Sequence, residues 1–177
     1  FPDKFDDIVW VNRRKDSLQL ILKNAIEKKF NNFDLIEDEV NHLFKHLKYY
    51  FSNIKIPKIV TLINNVDYQS KIVYLDTLLL ISLDTYLGKN HEIYNGIPNY
   101  IKYDMDVSYL SSHIADKFLS SKINYPKERT FLSQMIYYGK KLYLKEKLLP
   151  NKNDTITIGY SKQDLTWAQE NELYIWK

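Results

Sequence analysis

Cysteine is absent from the 177 residues. That excludes a disulfide framework and thiolate chemistry, and it leaves the redox compartment unreadable. Only four glycines are present, and no stretch resembles a phosphate-binding glycine loop or a nucleophile elbow. Four histidines are spread along the chain, so a nucleophilic triad has no positive support. Charge of one sign is also scarce. Acids and bases are interspersed, and the net charge is +3, which argues against a nucleic-acid footprint. No run approaches the roughly 20 apolar residues that a membrane span needs. The chain opens on Phe1-Pro2-Asp3 without Met, as a trimmed fragment would, so a targeting signal lying upstream is compatible with it.

Tyrosine, by contrast, is plentiful: 15 residues, within an aromatic share of 15%. Such rings pack while their hydroxyls reach a partner or water. Length and composition fit one globular domain over residues 1–177 with a substantial core. The most informative stretch is Leu78 to Tyr100. An apolar run, Leu79 to Leu83 with only Ser82 polar, reads as a strand buried on both faces. It delivers Asp84, Tyr86 and Gly88 into a polar loop with His91, Tyr94 and Pro98, the usual way a scaffold presents a site.

Around it the sequence predicts a helix-rich α+β fold: a helical hairpin, a small β-sheet of about three strands, then three helices. Phe1 to Arg14 reads as an entry segment anchored by Ile8, Val9, Trp10 and Val11. Asp16 caps a helix ending near Phe30, and a second helix runs from about Asp34 to Phe51. Strands are expected at Ile59 to Ile63, Ile72 to Leu75 and Leu78 to Leu83, arranged as a meander. Asp106 caps a helix with Val107, Leu110, Ile114 and Phe118 inward. Asn124-Tyr125-Pro126 opens another, with Pro126 near its first turn. Phe131, Leu132, Met135, Ile136, Gly139, Leu142 and Tyr143 form that helix's apolar face. Gly139 costs about 1 kcal/mol against Ala inside a helix, which points to a close helix crossing or the approach of another backbone. After a loop from Pro150 to Asp154, a weak capping box, Ser161 to Asp164, starts a last helix running to about Trp176.

Each candidate for chemistry has a plain alternative. His42 and His46, four apart on a helix, match a zinc pair, or they flank the apolar stripe in solvent. No acid follows His42. His113 and Asp116, three apart, suit a local surface pair. A zinc hydrolase needs Glu after the first His and a second His four residues on, and Ile114 and Lys117 stand there instead. Asp84, Tyr86 and His91 form a polar site at a strand end, or Asp84 satisfies loop N–H groups, Tyr86 packs and His91 is exposed.

Four stretches occur in one order. They are His46-Leu-Lys-Tyr-Tyr-Phe51 with Ile56-Pro-Lys-Ile-Val-Thr61; Leu83-Asp-Thr-Tyr-Leu-Gly88 with Tyr94 and Ile97-Pro-Asn-Tyr100; Arg129 to Lys140; and Trp167 to Trp176. Together they resemble the gliding-motility lipoprotein GldB family of Bacteroidetes. The resemblance implies a periplasm-facing accessory lipoprotein of the cell envelope, needed for gliding and the associated type IX secretion machinery. Its signal peptide and lipid anchor would lie upstream and be its only tie to the membrane, and its partners would be other envelope proteins of that apparatus. The family is also distantly similar to zinc peptidases, so the fold is expected to be zincin-like with a degenerate active site. Ile114 and Lys117 replace the base and second ligand, and Tyr138 stands where an acid would precede Gly139. No catalytic residue, metal or cofactor is carried over. The peptidase cleft is expected to persist as a binding groove with Asp84, Tyr86, Gly88, His91, Tyr94, Tyr100, His113 and Tyr138. The rival reading is a metal-dependent peptidase-like or cell-wall hydrolase.

Overall fold

The computed structural model describes residues 7–177. The backbone forms a helix-rich α+β structure with one small mixed sheet, and it divides into two compact units. The first comprises residues up to Glu39 and Lys55–Val107; the second comprises Val40–Ile54 and Ser108–Lys177. Of the expected entry segment, residues 1–6 and the Trp10 side chain lie outside the described part. From Asp7 to Lys15 the chain is helix α1, with Ile8, Val9 and Val11 exposed rather than anchored.

In the first unit, α2 spans Ser17–Lys29. Asp16 caps it as expected, its carboxylate accepting the Leu18 N–H at 2.8 Å. After the Asn31-Asn32 break comes α3, Asp34–Tyr50, with acids in its first turn where they complement the helix dipole. The sheet consists of β1 (Lys58–Leu62), β2 (Ile72–Leu75) and β3 (Leu78–Ser82). Its order is β1-β3-β2, with β3 parallel to β1 and antiparallel to β2. The expected meander is therefore wrong at one strand. Only β2 and β3 form a hairpin, turning at Asp76, whose φ is +45°, a conformation Asp tolerates. The most apolar strand takes the centre. Leu79 and Ile81 are buried, while four of five β1 residues are exposed at the edge. Residues 63–71 carry the chain from one sheet edge to the other, and β3 fills the space between.

In the second unit, α5 (Leu110–Lys122) and α6 (Phe131–Leu148) pack together, followed by the short α7 (Asp154–Ile158). From α3, Val40, Leu43, Phe44 and Leu47 are buried as the periodicity predicts, and so are Leu110, Ile114 and Phe118 of α5. The N-cap of α5 is Tyr109, one 3₁₀ turn later than the expected cap at Asp106. Helix α6 starts at Phe131, not near Pro126. Thr130 holds an extended backbone and its hydroxyl accepts the Ser133 N–H. Tyr125, before a proline, is disfavoured from helix, and the next apolar side chain is Phe131. The capping box holds: Ser161 and Asp164 each take the other's backbone N–H at the start of α8 (Lys162–Glu170). Asn171 interrupts the expected long helix, leaving α9 as Glu172–Ile175.

The largest departure is the face α6 buries. Much of the expected apolar face is turned out: Phe131, Leu132, Ile136 and Tyr143 are exposed, Met135 and Leu142 are half-buried, and a Cβ on Gly139 would meet nothing within 4 Å. Tyr137, Lys145 and Leu148 are buried instead. The cause lies on α5. Asp116 takes the Lys145 ammonium at 2.7 Å and the Lys141 ammonium at 4.0 Å, so the expected His113–Asp116 surface pair is displaced by this link between helices.

Lys145 is only 4% exposed while Asp116 is about a third exposed. We expect Asp116→Asn to cost about 1–3 kcal/mol in urea unfolding, below the 3–5 kcal/mol of a fully buried pair because solvent screens the carboxylate. Lys145→Met should cost less, since it removes the buried charge rather than stranding it.

Candidate functional site

The strand end after β3 is built around a carboxylate. Asp84 lies in the 3₁₀ turn Leu83–Thr85 with no solvent exposure (0%). Its Oδ2 accepts two backbone N–H groups from the loop that crosses the sheet: Asn64 at 3.0 Å and Val66 at 2.6 Å. That loop needs such a hold. Asn65 and Val66 sit at φ +53° and +57°, a left-handed conformation that is a genuine outlier for β-branched Val. Burial raises the Asp84 carboxyl above its ordinary range, and the Val66 and Asn64 N–H groups pull it back. Its Oδ1 is buried without a hydrogen bond.

The following residues extend this framework inward. Tyr94 is fully buried; its hydroxyl donates to the Asp84 carbonyl at 2.7 Å and accepts the Leu87 N–H at 3.0 Å. Burial pushes its phenol well up. Tyr86 is also fully buried, and desolvation, then Asp104, raises its phenol. Leu87, Tyr94 and Met105 form a core cluster with Ile26, Ile97 and Ile101 against it. Gly88 has φ +112°, and its N–H reaches the Met105 carbonyl at 3.0 Å. A side chain there would be strained. His91 caps the 3₁₀ turn Glu92–Tyr94, its Nδ1 accepting the Ile93 N–H, so Nε2 carries the ring proton. Of the plain alternatives, Asp84 satisfying the loop and Tyr86 packing are what the structure shows, while His91 is half-buried.

The surface over this framework is a cleft of about 230 Å³, lined by Lys89, Asn90, Asn99, Lys102 and Tyr103. The Lys89 ammonium lies 5.8 Å from the centre of the Tyr103 ring, within cation–π range. Tyr100, on the short helix α4 (Asn99–Lys102), is 81% exposed beside these residues in sequence. Two ammonium groups, two amides and exposed tyrosine can bind a polar or acidic segment. No sequence signal named the lining residues, although they fall in the selected loop and just beyond it.

His113 and Tyr138 belong to the second unit. His113 stacks on Tyr109 with ring centres 6.2 Å apart, and Tyr138 meets Tyr137 edge-on. A second concavity of about 500 Å³ lies in that unit, between His46, Tyr49, Tyr50, Glu146, Lys147 and Pro150. His46 is half-buried there. Its Nδ1 donates to the Leu148 carbonyl at 2.9 Å, and His42, one turn earlier on α3, is exposed. Among the described residues no three His, Asp or Glu side chains converge as metal ligands would. No described helix is long and apolar enough to cross a membrane.

Replacing Asp84 tests the framework. Asp84→Ala leaves the N–H groups of the half-buried Asn64 and Val66 without their acceptor and should lower stability by about 1–3 kcal/mol; Asp84→Asn, which keeps an acceptor, should cost less. The folded-state carboxyl is raised, so the folded protein holds this proton more firmly than the unfolded chain. The contribution of Asp84 is therefore greatest in acid and declines as pH rises from the ordinary value near 3.8 through the raised one. The stability difference between wild type and Asp84→Asn, followed by urea unfolding against pH, should show this decline.

Compared with known proteins, the chain matches the family model described as gliding motility protein GldB over residues 1–177. No curated protein and no solved structure matches it.

Proposed function

The chain belongs to the GldB family of gliding-motility lipoproteins of the cell envelope, and on that premise we propose that it is a non-enzymatic accessory protein that works by binding. It faces the periplasm, held by a lipid anchor upstream of Phe1, and serves the gliding apparatus and the type IX secretion machinery. Its partners are other envelope proteins of that apparatus. The observation that carries this reading is the division of labour at the strand end. Asp84 and Tyr94 are interior and hydrogen-bonded to the loops, and Tyr86 is interior and packed, whereas the cleft is lined by polar groups, with Lys89 and Asn90 exposed, Lys102 and Tyr103 half-buried, and the exposed Tyr100 nearby in sequence. Tyrosine supplies contact area at low entropy cost, and the lysines favour an acidic partner segment. On this reading the His113 helix is a zinc helix that has lost its base and second ligand at Ile114 and Lys117, within a zincin-like ancestry.

The test is carried out in a gliding bacterium on the full-length lipoprotein. Lys89→Glu with Lys102→Glu and Tyr100→Ala should abolish colony spreading and reduce secretion of type IX substrates while the protein accumulates at its normal level. Normal gliding and secretion by this triple variant would contradict the proposal.

A further inference from the structure

The concavity of about 500 Å³ in the second unit has the size of a small-ligand pocket, a class that spans about 300–1,000 Å³. The end of α3 lines it with His46, Tyr49 and Tyr50, and the end of α6 with the turn that follows lines it with Glu146, Lys147, Pro150 and Lys152. Leu149, also in the lining, is buried. Tyr49 is 80% exposed and Tyr50 47% exposed. Their rings stand nearly perpendicular, with centres 5.1 Å apart, so each restrains the other. Exposed tyrosines beside a concavity offer flat apolar faces with a hydroxyl at the rim.

The polar groups around these rings are of both kinds, donors and acceptors. The His46 Nδ1–H is engaged by the Leu148 carbonyl at 2.9 Å, so in the neutral ring Nε2 carries the lone pair and accepts. Glu146 adds a carboxylate with two acceptor oxygens, and the Lys147 ammonium meets one of them, Oε1, at 3.0 Å. Lys147 and Lys152 supply donors. The Lys152 ammonium reaches the Ser108 carbonyl at 3.2 Å, and an ammonium has three donors in all. A phosphate or other polyanion would meet Glu146 as well as the lysines. A proline-rich segment would suit the rings, but a run of prolines offers carbonyl acceptors and no N–H, which leaves His46 Nε2 and Glu146 without donors. A sugar matches the whole set. Each hydroxyl both donates and accepts, and the C–H groups on one face of the ring pack on an aromatic face. We propose that this concavity binds an oligosaccharide: Tyr49 and Tyr50 form the stacking platform, His46 and Glu146 accept from sugar hydroxyls, and Lys147 and Lys152 donate to them. The site shares no residue with the cleft lined by Lys89 and Lys102, and it goes beyond the protein-binding role proposed above.

The experiment is a glycan array probed with the labelled 177-residue chain, followed by calorimetric titration of the strongest-binding array glycan into the wild type and two variants. Tyr49→Ala removes a stacking face, and Glu146→Lys replaces an acceptor with donors. Both side chains are exposed, and circular dichroism with thermal unfolding verifies the fold of each variant. The wild type should bind glycans that carry no sulfate or phosphate. Each variant should weaken that binding by about ten-fold. Glu146→Lys separates hydrogen bonding from simple charge attraction, because an anion-binding cleft would bind more tightly with the added lysine. Lys102→Glu, in the other cleft, should leave glycan binding unchanged. The proposal is overturned by an array with no bound glycan, by binding confined to sulfated or phosphorylated glycans and lost at high salt, by tighter binding in Glu146→Lys, by an undiminished affinity in Tyr49→Ala, or by a polyproline peptide that displaces the glycan from the wild type.

Discussion

One carboxylate oxygen, Oδ2 of Asp84, receives the backbone N–H groups of Asn64 and Val66, and the first unit depends on that contact. The sheet order β1-β3-β2 obliges the chain to cross the sheet between its edge strands. The crossing loop contains two consecutive left-handed residues, one of them valine, which local preference does not support. A buried acceptor at the end of the central strand offsets that cost. The same turn offers its carbonyl to the Tyr94 hydroxyl, so the crossing loop and the loop after the strand are fixed to one point. The cleft residues from Lys89 to Tyr103 follow in the chain from this framework, and for the binding role proposed above a rigid base would spare the surface the cost of becoming ordered.

The second unit is governed by a different choice. A helix with an apolar stripe normally turns it inward. Here Asp116 draws Lys141 and Lys145 to α5, and the apolar stripe of α6 faces outward. A buried ion pair of this kind contributes little net stability against an apolar replacement, yet it decides which side of α6 is in and which is out. The stripe left outside is the counterpart of that pairing.

Local pattern made part of this readable in advance. The run Leu79 to Leu83 announced a buried strand, and Asp84 was placed at its end, because an uninterrupted apolar stretch followed by polar turn residues has few other readings. Caps were readable too, since Asp16 and Ser161 act on residues two and three positions away. The parallel pairing of β1 with β3 was not, because nothing in either strand encodes which edge the chain crosses to. Nor was the inward face of α6, since Lys145 at a buried position looks like an error until Asp116 is seen opposite. The cleft residues escaped notice because a concavity is a property of shape. Lys89, Asn90, Asn99, Lys102 and Tyr103 are ordinary loop residues when read in a row.

The most direct measurement is residue-resolved amide hydrogen exchange at Asn64 and Val66 in the native protein. These are loop positions that would ordinarily exchange quickly, and protection there reports the Asp84 contact itself. If Asp84 holds the crossing loop as described, both amides should exchange as slowly as those paired between β2 and β3, through opening of the whole unit. Exchange at the rate of an exposed loop would mean that the carboxylate does not anchor the loop, and the account of a rigid recognition surface built on it would be wrong.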